Sequence, residues 1–134
     1  MLKFFERQIT LENKIVDSVS KTVDEIDNEA VSTALKGISL DSTKHAMMYQ
    51  SVIHLMTTSS AALNEEQLDI QKKVISDHIK MEEAVIKELE KVVPTVEDEK
   101  VRIILSAILH DEERHHKLLK TLYEILVRGE AVTE

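Results

Sequence analysis

Residues 101–126 read VRIILSAILHDEERHHKLLKTLYEIL, and this stretch decides the fold. Val101, Ile104, Ile108, His115, Leu118 or Leu119, Leu122 and Leu126 return at the spacing that gathers side chains on one face of an α-helix. Acidic Glu97-Asp98-Glu99 precedes the run, where negative charge suits a helix start, and Gly129 follows it as a stop. Within the apolar stripe stand an imidazole, His115, and one turn before it Asp111 or Glu112.

Working back along the chain, three more stretches carry the same period. Phe5, Ile9, Glu12, Ile15, Val16, Val19, Val23 and Ile26 form the first, broken at Asp27-Asn28, where Asn28 can cap the next helix. Val31, Leu35, Ile38, His45, Met48, Val52 and Met56 form the second, with Gly37 inside it and Thr57 to Ser60 weakening its end. Asn64-Glu65-Glu66-Gln67 has the form of a capping box and opens the third. That helix carries Leu68, Ile75, His78 or Ile79, Glu82, Val85, Ile86, Leu89 and Val92, and Pro94-Thr95 stops it. Four amphipathic helices with short linkers predict an all-α, four-helix bundle over 1–134, made of hairpins 1–60 and 64–128.

Composition agrees. The 134 residues hold only 2 Gly and 1 Pro, too few turn residues for a β-sandwich or α/β domain. Aromatics at 3% exclude stacking platforms for single-stranded nucleic acid, and a net charge of -8 makes phosphate backbones poor partners. With 0 Cys, disulfides, thiolate metal sites and thiol nucleophiles are excluded. No apolar run is long enough to cross a bilayer or to serve as a secretory signal, so a soluble cytoplasmic protein without membrane or nucleic-acid partners is expected.

The second half repeats the first. A shift of 70 places Glu12 on Glu82, Asp41 on Asp111, Lys44 on Arg114 and His45 on His115, and aligns Val16 with Ile86, Leu35 with Leu105 and Ile38 with Ile108. Glu12 and His45 are 33 residues apart, as are Glu82 and His115. Both midpoints fall at the predicted turns, so in antiparallel hairpins each pair meets at one level. A buried carboxylate without a partner costs several kcal/mol. Two carboxylates and two imidazoles on facing stripes offset that cost most simply by sharing metal ions. Asp41 and Asp111 at i−4, or Glu112 at i−3, reach the same helix face as their histidines. His78, one turn before Glu82, is a further candidate ligand or supporting group. The bland readings are that the glutamates reach out to solvent, that the histidines are satisfied core residues, that His116 pairs with Glu112 or Glu113 at the surface, and that Tyr49 simply packs.

This order of residues resembles the ferritin-like carboxylate-bridged di-iron proteins, and in size their rubrerythrin-like branch without a rubredoxin domain. Glu112-Glu113-Arg114-His115 is the clearest motif, a Glu-x-x-His on the fourth helix. The resemblance implies a ferritin-like fold. It makes Glu12 and Glu82 the single glutamates of the first and third helices, His45 and His115 ligands of one metal each, and Glu112 a bridging carboxylate. Ser42 departs from the pattern, standing where the family has a second Glu, with Asp41 the nearby substitute; either Asp41 and Asp111 form a symmetric pair of ligands, or the site is asymmetric, or metal binding is weakened or limited to one ion. Nitrogen and oxygen donors suit iron, two per site, with manganese or zinc as alternatives. The implied function is metal binding with peroxide or dioxygen reduction, an oxidoreductase fed by an external electron donor because no Cys relay exists. The alternatives are a non-enzymatic helical interaction protein and an iron storage or handling protein.

The family's arrangement sets the first helix antiparallel to the third. Within one chain the second linker would then cover roughly 48 Å, counting helical rise on either side of the His45–Glu82 level. Ser60 to Asn64 extends to only about 14 Å. A domain-swapped homodimer resolves this, and a simple up-down-up-down monomer is the other solution.

Overall fold

A computed structural model describes residues 1–58 and 64–128. Every regular element among them is helical: α1 (Leu2–Thr22), α2 (Glu29–Thr57), α3 (Glu65–Val92) and α4 (Glu99–Val127), with 3-10 turns at Val23–Glu25 and Val93–Thr95. The class is all-α with four helices. The chain divides into two compact units, Met1–Ser60 and Ala61–Glu134. In the first, α1 packs along α2; in the second, α3 packs along α4.

The starts of α2, α3 and α4 are set by side-chain caps. Asn28 Oδ1 accepts from the Val31 amide at 3.2 Å and begins α2. Asn64 and Gln67 close a capping box, with Oδ1 taking the Gln67 amide at 2.8 Å and Gln67 Oε1 taking the Asn64 amide at 3.1 Å. Asp98 Oδ1 accepts from the Lys100 and Val101 amides at 2.9 and 3.3 Å, which places a negative charge on the positive end of α4. Pro94 lies in the first turn of the second 3-10 segment, where its missing N–H and fixed φ are tolerated. At the far end of α2, the Thr58 hydroxyl donates to the His54 carbonyl at 2.6 Å. Gly129, the expected stop of α4, and the segment 59–63 lie outside the described residues.

The repeat is structural as well as sequential. Shifted by 70 residues, Thr22 falls on Val92, Val23–Glu25 on Val93–Thr95, and Glu29–Thr57 on Glu99–Val127. The caps Asn28 and Asp98 also coincide. In hairpin 1, Val23 is buried beside the turn and Ser42 midway along the seam, while Phe5 and Tyr49 meet near the open end with ring centroids 6.0 Å apart. Tyr49 therefore packs against an aromatic partner.

The seam between paired helices takes only part of each apolar stripe. Phe4, Leu11 and Ile15 of α1 remain exposed, and so do Val74, Met81 and Val85 of α3, their counterparts in the repeat. Val31, Ile38 and Met48 of α2 and Val101, Ile108 and Leu118 of α4 do the same, with exposures between 42% and 51%. Each hairpin thus carries a second apolar face that its own two helices leave open. No described helix is long and apolar enough to cross a membrane.

Candidate metal centre

Hairpin 2 brings three donors together. Glu82 from the middle of α3, and Glu112 and His115 one turn apart on α4, each offer one ligand atom, all within 4.8 Å of one another. The antiparallel pairing puts Glu82 and His115 at one level, and the helical repeat puts Glu112 on the same face as His115. Two donors bound to one ion at about 2.0–2.2 Å lie at most about 4.4 Å apart. Three donors sharing one ion sit closer than that limit, about 3.0–3.6 Å apart, so the side chains close on an ion by up to about 1–2 Å, within reach of rotations of long side chains. Glu82 Oε2 is buried and has no hydrogen-bond partner. A buried carboxylate oxygen left without a partner, on a residue that also meets a second carboxylate and an imidazole, is what a bound cation would satisfy.

Hairpin 1 has the equivalent pair. His45 Nδ1 lies 3.5 Å from Glu12 Oε2, and the Glu12 side chain is only 16% exposed. Glu12 Oε2, like its counterpart, is buried without a hydrogen bond. One turn before His45, at the position matching Glu112, the buried residue is Ser42. The first hairpin therefore gathers one carboxylate and one imidazole where the second gathers two carboxylates and one imidazole.

The remaining sequence candidates lie apart from these groups. Asp41 pairs with Lys44 at 3.3 Å and Asp111 pairs with Arg114, both carboxylates being partly exposed. Each reaches forward along its own helix to the cation three residues on. Between Asp111 and Glu112, the one gathered with Glu82 and His115 is Glu112. His78 is exposed on α3 and takes no part in the ion pairs among the described residues. The neighbouring Asp77 carboxyl titrates below its usual range, because the Lys73 ammonium donates to it at 3.0 Å.

One pair escaped the sequence reading. His116 Nε2 lies 3.6 Å from Glu83 Oε1 across the helices, with the His116 side chain 16% exposed and its Nδ1 buried without a partner. His116 thus turns into the α3–α4 contact rather than out toward Glu112 or Glu113. The signal was present: Glu83 and His116 have the same 33-residue separation as Glu82 and His115.

No family model matches the sequence, and neither a curated protein nor a solved structure matches the chain.

Proposed function

We propose that the chain is a carboxylate–histidine metal protein, with iron as the first expected ion and manganese or zinc as alternatives. The observation that carries this reading is the convergence of Glu82, Glu112 and His115, with Glu82 holding a buried carboxylate oxygen that has no hydrogen-bond partner. Such a sulfur-free donor set suits these metals. Its three protein donors leave positions open for water or substrate, as catalytic metal sites do. Glu12 and His45 form a second, smaller donor set.

The resemblance to rubrerythrin-like di-iron proteins extends the reading to a two-metal centre that reduces hydrogen peroxide or dioxygen. Bound iron there would supply electrons to the oxidant and be re-reduced by a separate donor. The chain's own part is to hold the ions. Glu82 and Glu112 provide negative charge, His115 and His45 provide neutral nitrogens, and the apolar neighbours Val85, Ile86 and Ile108 keep bulk water away once their face is covered. In the antiparallel arrangement the resemblance implies, α2 ends about 18 Å past His45 and α3 begins about 26 Å before Glu82. The stretch from Thr57 to Glu65 extends to at most about 29 Å. The proposal therefore includes a domain-swapped homodimer, in which a partner chain supplies the second hairpin.

Metal analysis of protein purified without a histidine tag tests the reading. Stoichiometric iron, manganese or zinc, lost in Glu82→Ala, supports it. Peroxide consumption with an artificial electron donor then separates an enzyme from a store. Absence of metal, with stability unchanged in Glu82→Ala, would favour a non-enzymatic helical interaction protein.

A further inference from the structure

The two hairpins agree in turn position, in the length and capping of their second helices and in apolar pattern, so the places where they differ along the seams stand out. At three matched positions the first hairpin has a neutral residue and the second a titratable one that faces the α3–α4 contact: Asn13 against Glu83, Ser42 against Glu112, and Ala46 against His116. Two of them, Glu83 and His116, form the additional pair in the α3–α4 contact. A third, Glu112, completes the three-donor group.

We infer that the hairpins have divided their roles: the second binds a divalent cation by itself and fills first, and the first does not, because Ser42 stands where the repeat places Glu112. This inference rests on the metal reading above. Glu12 and His45 alone offer two donors and one negative charge, against three donors and two negative charges in hairpin 2. Both differences favour hairpin 2, since each further donor removes a water from the ion and each carboxylate adds Coulombic attraction to a dication. A neutral serine hydroxyl cannot stand in for the missing carboxylate, and Ser42 is only 4% exposed. Asp41 does not replace it either. It lies about 100° around the helix from Ser42, and its carboxylate is engaged by Lys44. Loading is therefore sequential, with the second ion weak and dependent on the Glu12–His45 pair.

Titration of the full-length, metal-free chain with cobalt(II) alone, followed by visible absorption and calorimetry, tests this. The expected result is one tight equivalent per chain and a second at least about tenfold weaker. Glu112→Gln should abolish the tight equivalent, whereas Glu12→Gln should leave it and remove the weak one. Ser42→Glu should strengthen the weak equivalent by about tenfold or more. Far-UV circular dichroism confirms that each variant keeps its helices. Two equal equivalents in the parent chain, or equal loss of the first ion in Glu12→Gln and Glu112→Gln, would overturn the division of roles while leaving the metal reading intact. No binding by the parent chain or by Ser42→Glu would overturn both.

Discussion

Replacing Glu82 by methionine should stabilise the metal-free chain and destabilise the metal-loaded one, relative to the parent. Glu82 Oε2 is buried and has no hydrogen-bond partner within the chain. Leaving a buried polar group unsatisfied costs about 1–3 kcal/mol, and more where it is charged. Methionine has similar length and adapts to irregular space. The variant should therefore gain about 2 kcal/mol in the presence of a chelator, a rise in Tm of roughly 6–8 °C for a chain of this size. With metal at a hundred times its dissociation constant, the parent gains about 2.7 kcal/mol that the variant lacks. The order of stability should then reverse. Thermal unfolding followed by circular dichroism, with chelator and with cobalt(II), reads both arms. If Glu82→Met loses 1 kcal/mol or more in chelator, the carboxylate is satisfied in the free protein and the reasoning fails.

Other outcomes follow from single residues. Gly37 lies within α2, and a Cβ built there meets nothing within 4 Å. Gly37→Ala should accordingly stabilise by about 0.5–1 kcal/mol in urea unfolding. Asp98 takes two amides at the start of α4, so Asp98→Ala should cost about 1 kcal/mol by the same assay. Ile38 lies on the open apolar stripe at 51% exposure, while Leu40, at 71%, lies off it. If that stripe is covered in the assembled protein, Ile38→Asp should cost roughly 2 kcal/mol or more and Leu40→Asp almost nothing. Equal small effects at both positions would show that the stripe stays in water.

The helices were legible because local chemistry and global pattern agree. Asn28, Asn64 and Asp98 cap where a polar residue precedes a run of helical period, and Pro94 sits where the third helix stops. The equal 33-residue separations allowed the level of Glu12 with His45, and of Glu82 with His115, to be read before any coordinates. Periodicity could not choose between Asp111 and Glu112, since both lie within a turn of His115 and flank its face. The deciding contact is local. Arg114, three residues past Asp111, draws that carboxylate along the helix, as Lys44 draws Asp41. The Glu83–His116 pair was missed because His116 was read only against its own helix. The open faces were not legible either. A hydrophobic stripe says which side chains avoid water, and Ile38 or Ile108 reads the same whether its cover comes from the paired helix or from elsewhere.

The most direct test of the central claim is elemental analysis of the tag-free chain after desalting, beside Glu82→Ala and Glu112→Ala. The account predicts at least one equivalent of iron, manganese or zinc per parent chain, and its loss in both variants. Trace metal at the same level in all three proteins would contradict it.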